Sequence, residues 1–314
     1  MPFEFRPHGV MVLEEHPWVA FDRFSQPHDV EEWKMIKVLK VSAALCAGAL
    51  MVPVLVSYSS GAEPDGAPLA GAAPAQSATE KLKVDYENGA LNSGVDGLST
   101  THATAPDASG VVQPGHEGSY AVQHKVTLGE AGYESNGAPR SESATDLLPS
   151  GQFDIGDVQR YEFSVLLKDW KTYTPGDSET GDILFQGKYA GGNVPAFYLM
   201  AKRNEVAFRS PHLNQQTAVV ADLRPYVNKW MSFRVDARWT TDETGYFKVS
   251  VRLPGESDYK PAASYENVRT YQPENPADHG YIKWGLYRPS ESIENGDVPT
   301  RIVQHDDIRI LDLS

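Results

Sequence analysis

The chain has 314 residues, 40% of them hydrophobic, a mean hydropathy of -0.42 and a formal net charge of -14. This composition excludes a protein of many membrane spans, and the acidic balance excludes non-specific nucleic-acid binding, which rests on a basic footprint. An anionic ligand would have to be met by a local cluster of Arg and Lys, and the length supplies one large all-β domain or two smaller ones.

The first 80 residues differ from the rest. Lys34, Lys37 and Lys40 lead into Leu39–Val56, a nearly continuous run of small and apolar residues that ends near Ser60-Gly61-Ala62. A basic flank, an apolar centre and a small-residue exit make residues 35–62 a signal peptide or membrane anchor. Pro53 interrupts the run, which is short against the ~20 residues a span needs, so cleavage is favoured over anchoring. Met35 fits a translation start, making residues 1–34 an upstream extension. Cys46, the single cysteine, lies inside the apolar run after Leu45, where a lipid anchor would want a small residue. A mature chain without cysteine depends on core burial rather than disulfides. Residues 63–80 are rich in Ala, Gly and Pro and read as a flexible linker. The expected location is secreted or periplasmic, with no stable membrane contact after cleavage.

From about residue 81 the signals are β. Apolar and aromatic runs recur at Ser119–Leu128, Arg160–Leu167, Ile183–Phe185, Ala196–Ala201, Glu205–Arg209, Trp230–Trp239, Tyr246–Leu253, Tyr281–Tyr287 and Asp307–Leu313. Turn residues separate them, and period-two alternation is clear in Phe247, Val249, Val251 and Leu253. Long amphipathic helix patterns are absent; 217–226 offers at most a short helical turn. Many short strands predict an all-β fold, a sandwich or jelly roll of two antiparallel sheets over residues 81–314. Residues 129–159 are poor in apolar residues and read as a long loop region of the kind that carries function. Arg140-Ser141-Glu142 lies within it.

The stretch Tyr281–Pro289 is the most informative. As a strand it places Tyr281, Lys283, Gly285 and Tyr287 on one face, and Ile282, Trp284, Leu286 and Arg288 on the other. The second face suits a core. The first suits a groove, with Gly285 leaving room for a flat ligand. A cation beside a phenol favours the phenolate, which makes Tyr287 a candidate proton-transfer group.

Three pieces stand in order: Arg140-Ser141-Glu142, Phe185-Gln186-Gly187-Lys188 and Tyr281-Ile282-Lys283-Trp284-Gly285-Leu286-Tyr287. Together they resemble the polysaccharide lyases built on a concanavalin-like β-jelly roll, which include alginate, glucuronan and heparin-I-type lyases. Trp230 and the closing run His305-Asp306-Asp307-Ile308-Arg309-Ile310 extend the likeness over about 81–314. The wording of the Lys283–Tyr287 strand and the Asp-Asp-Ile-Arg ending favour the glucuronan- and heparin-like branch. One departure stands out: where alginate-type members carry Gln-x-His, this chain has Lys188 two residues after Gln186. His124, in the Ser119–Leu128 strand, is the spare histidine that could replace it, although its neighbours Val122 and Val126 equally suit a core residue. His102 and His116, in loops, could also reach a groove.

The resemblance implies β-elimination on an anionic, uronate-containing polysaccharide. Arg140 would grip the uronate carboxylate bidentately, and Gln186 would donate an amide N–H to it. Tyr287, with Lys283 and His124, would move protons. Lys188, Tyr281 and Arg288 would complete substrate binding. No cofactor is required. A structural calcium is a further expectation, held by the hard oxygens of Asp85, Glu87 and Asp307; solvated turn carboxylates are the plainer reading of the same residues. A monomer is expected. The rival reading is a non-catalytic glycan-binding jelly-roll module. A hydrolase would need paired carboxylates in a Glu-x-Asp-x-x-Glu run, and the sequence contains none.

Overall fold

The computed structural model describes residues 78–314. The upstream extension at 1–34, the signal or anchor at 35–62 and nearly all of the linker lie outside the described residues. The described chain begins in a strand, β1 (Thr79–Val84), so the linker assignment gives way to sheet structure at residue 79. There follow β2 (Ser109–Val112), β3 (Ala121–Thr127), β4 (Glu134–Ser135), β5 (Ala138–Ala144), β6 (Gln152–Phe153), β7 (Val158–Lys168) and β8 (Asp182–Tyr189). The second half contributes β9 (Phe197–Lys202), β10 (Glu205–Ser210), β11 (Gln215–Val220), β12 (Trp230–Arg238), β13 (Gly245–Arg252), β14 (Lys260–Val268), β15 (Gly280–Tyr287) and β16 (Thr300–Asp312). One short helix, α1 (Glu291–Glu294), precedes the last strand.

The strands form two antiparallel sheets packed face to face, a β-jelly-roll sandwich. One sheet runs β14-β13-β12-β7-β16-β3-β2, with β1 beside β16. The other runs β11-β10-β9-β8-β15-β5-β4, with β6 beside β15. Long crossovers bring strands far apart in sequence into contact, so β15 lies between β8 and β5.

The core lies between the sheets and is filled by alternate residues of each strand. Phe163 stacks on Phe185 across the sandwich at 3.8 Å between ring centroids, and Phe153 stacks on Trp239 at the same separation. Ile282, Trp284 and Leu286 are fully buried, as their alternation predicts.

Two regions depart from the sequence reading. Residues 138–144 form β5, a fully paired strand, rather than part of a loop. Its inward residues are Ser141 and Ser143, so no apolar alternation announces it. Ser141 Oγ instead donates to the Ala108 carbonyl at 2.6 Å and lies 3.0 Å from His124 Nδ1, which satisfies its burial. The 217–226 stretch begins as β11 and reaches only a single 3-10 turn at Arg224–Tyr226.

Candidate active site

β5, β8 and β15 present the predicted groups on the outer face of the second sheet. The register pairs Tyr287 with Arg140, Lys283 with Gln186, and Tyr281 with Lys188. Arg140, Gln186, Lys188, Tyr281, Lys283 and Tyr287 all line one open groove of about 620 Å³. Residues separated by up to 147 positions thus converge because β15 is inserted between the other two strands.

Glu142 organises the centre. Gln186 Nε2 donates to Glu142 Oε1 at 2.6 Å, and the Lys283 ammonium forms an ion pair with the other carboxylate oxygen. The amide is thereby held in one orientation, with one of its two N–H groups committed to Glu142. Glu142 belongs to the Arg-Ser-Glu motif, but nothing in the local sequence assigns it this role. Its position two residues from Arg140, hence on the same strand face, was the available signal.

Lys283 is therefore answered by a carboxylate, and the cation beside Tyr287 is Arg140. The Arg140 guanidinium lies over the Tyr287 ring, 4.7 Å from its centroid, and Nη2 donates to the Asn136 carbonyl at 3.3 Å. Among the described residues Arg140 has no carboxylate partner, so its charge is available to a ligand. The Lys188 ammonium donates to the Gly192 carbonyl. Burial lowers its pKa, and the nearby Lys283 and Arg140 charges add to the effect. Tyr281 is pushed up to about 12, first by burial and then by Asp146 and Glu142.

Three expectations are corrected. His124 does not reach the groove: it is fully buried between the sheets, with its ring nitrogens 3.0 Å from Ser141 Oγ and 3.4 Å from Ser143 Oγ. Burial lowers its pKa to about 3. Arg288 faces away from Tyr287 and is fully buried. It is paired with Asp182 at 3.3 Å and Asp297 at 2.8 Å, and donates to the carbonyls of Val298 and Pro299, so it ties the chain around α1 to β8 instead of binding substrate. Gly285 does not make space in the groove. It has φ +143, and a Cβ there would come within 2.7 Å of Glu142 Cα and 3.2 Å of the His124 ring. The glycine is required by the close approach of β5 and His124.

The histidine that does reach the open face is His102, exposed in the 100–104 loop. It lines a recess of about 110 Å³ that continues the groove past Arg140, Glu142, Tyr281 and Lys283.

The predicted calcium ligands do not converge. Asp85 pairs with Lys83 at 2.9 Å, and the Glu87 carboxylate accepts the backbone N–H groups of Ser119 and Tyr120. Asp307 lies 2.6 Å from His116 Nδ1. Among the described residues, the group that brings three potential ligand atoms together is His116, Glu117 and Asp307. A nitrogen in that set suits calcium poorly.

The fold is thus a jelly-roll sandwich with a charged, tyrosine-lined trough on the outer face of one sheet. The chain belongs to the polysaccharide lyase family: the family described as "Polysaccharide lyase" matches residues 87–309. The fold is similar to that of an endo-beta-1,4-glucuronan lyase from the fungus Trichoderma reesei, with 18% identity and a TM-score of 0.53 over 75% of this chain and 99% of that one. An alginate lyase from Aplysia kurodai aligns at 12% identity and a TM-score of 0.49, over 76% of this chain and all of that one. No curated protein matches the chain by sequence. The protein is a polysaccharide lyase, a glycan-degrading enzyme.

Proposed function

We propose that this lyase is exported and cleaves a glucuronan- or heparin-like uronate glycan by β-elimination in the β5–β8–β15 groove. The observation that carries the reading is the meeting of Arg140, Gln186 and Tyr287 on one sheet face around a single trough.

The C5 proton of a uronate is weakly acidic while the adjacent carboxylate keeps its charge. Arg140 and the other N–H of Gln186 neutralise that charge and hold the aci-carboxylate that develops. The C5–H electron pair becomes the C4=C5 double bond, the C4–O4 bond breaks, and O4 leaves with a proton. Tyr287 takes the C5 proton and returns a proton to O4 when both lie on one side of the ring. For the opposite geometry His102 takes the first step and Tyr287 the second, a reading favoured by His102 lining the recess that continues the trough past Arg140 and Lys283. Lys188 adds positive charge, and Tyr281 gives the sugar an aromatic wall.

Incubation of the protein with glucuronan, heparin, alginate or ulvan, followed by ultraviolet absorbance, tests this. A rise from the unsaturated product on one of them is expected. Binding without absorbance would make the groove a glycan-holding surface and sink the assignment of the site.

A further inference from the structure

The trough does not end at β8. A second open recess of about 560 Å³ adjoins it, sharing Ile183 and Tyr198 with the central groove and reaching Met200, Lys202 and Arg209. The register explains the continuity. Lys283 pairs with Gln186, Gln186 with Tyr198, and Tyr198 with Arg209, so one transverse row crosses β15, β8, β9 and β10 on the same face. Beside it runs an apolar strip of Ile183, Met200 and Ala207, packed against Tyr198 and Tyr287. Such a strip suits the C–H face of a sugar ring.

Arg209 resembles Arg140 in its surroundings. Both are half-buried on this face, and neither has a carboxylate partner among the described residues, whereas neighbouring Arg203 pairs with Glu179. The acidic groups on the recess wall are largely answered: Asp177 by Lys171 at 2.6 Å and Glu179 by Arg203. Glu291 lines the same recess as Arg209 and Lys202. At about 4.8 Å per strand, Arg209 lies about 10 Å from Gln186, roughly two sugar residues along an extended chain.

We propose that Arg209, seated against Tyr198, is a second carboxylate-binding subsite, which takes a uronate roughly two residues from the one held by Arg140 and Gln186. The inference rests on the uronate-lyase reading and deepens it: the substrate carries its negative charges repeatedly along the chain, and the groove reads more than one of them.

The test compares glucuronan disaccharide, too short to reach both sites, and hexasaccharide as substrates of the full chain. Wild type is expected to prefer the hexasaccharide in kcat/KM. Arg209→Ala is expected to reduce that preference about tenfold, the equivalent of about 1.4 kcal/mol. Arg209→Lys, which keeps the charge, is expected to restore at least half of the loss. Equal losses on both lengths, no loss, or no restoration by lysine would overturn the subsite. If the wild type releases no unsaturated product from either length, the glucuronan reading has failed separately. Calorimetric binding of the hexasaccharide then decides the subsite: about tenfold weaker binding by Arg209→Ala supports it, and equal affinity overturns it.

Discussion

The Arg140 guanidinium rests on the face of the Tyr287 ring, 4.7 Å from its centroid, and the two residues are direct cross-strand partners. The stack fixes the phenol and the carboxylate-gripping cation relative to one another. It depends on the ring and not on the hydroxyl. Tyr287→Phe should therefore keep the stack, the unfolding midpoint and glycan affinity within a few-fold, while turnover falls by about 10²–10⁴, the usual worth of a positioned acid–base group. Steady-state kinetics alongside calorimetric binding would check this. Near-normal turnover would remove Tyr287 from proton transfer.

Glu142 gives a second prediction. It holds both Gln186 and Lys283, and its side chain is 4% exposed. Glu142→Gln leaves the Lys283 ammonium uncompensated, at an expected cost of about 1–3 kcal/mol. It also frees the Gln186 amide to turn, so kcat/KM should drop about 10²-fold, as expected for a small misplacement. Pairing it with Lys283→Met should recover stability but not activity, a coupling that a double-mutant cycle reads directly. Additive stability losses would show that the pair is energetically independent.

Arg288 serves stability, by its geometry. It is fully buried, with two carboxylates and two carbonyls around it. Removing one partner of a buried charge network is strongly destabilising, so Arg288→Met should cost about 3 kcal/mol or more in denaturant unfolding. Activity per folded molecule should persist. A loss of activity in excess of the folded-fraction loss would restore it to substrate binding.

Two buried histidines couple the fold to pH. Burial lowers the pKa of His124 to about 3 and that of its neighbour His305 well below the usual histidine value. Both are neutral in the folded state and take up protons on unfolding. Their contribution is complete above pH 6.5 and declines as pH falls below it toward the folded value, by on the order of 2 kcal/mol per histidine between pH 6.5 and 5. Burial raises Asp306 to about 7 and Asp182 to about 6, and these carboxyls act in the opposite sense over the same range, so the readout is the difference between two curves: His124→Gln should lose less stability than wild type between pH 6.5 and 5. Parallel curves would mean that His124 does not contribute.

Much of the architecture was written in local pattern. Phe247, Val249 and Val251 alternate and are all buried in β13, and Ile282, Trp284 and Leu286 do the same in β15. β5 escaped because its inward positions are serines whose partners, His124 and Ala108, are remote in sequence. His124 misled for the same reason: a histidine between valines reads alike whether its polar neighbours lie in solvent or across a core. Gly285 was read as room for ligand because a missing side chain does not reveal which side of the sheet fills the gap.

By itself the sequence determined the β alternation, the chemistry available on each strand face and the family likeness, because these depend on residue type and spacing along one strand. Only the tertiary structure decided that Glu142 answers Lys283, that Arg288 and His124 are buried and that Arg209 continues the row begun by Lys283 and Gln186. Those relationships depend on which strands lie side by side. In a jelly roll, long crossovers set that order, and no local period encodes it.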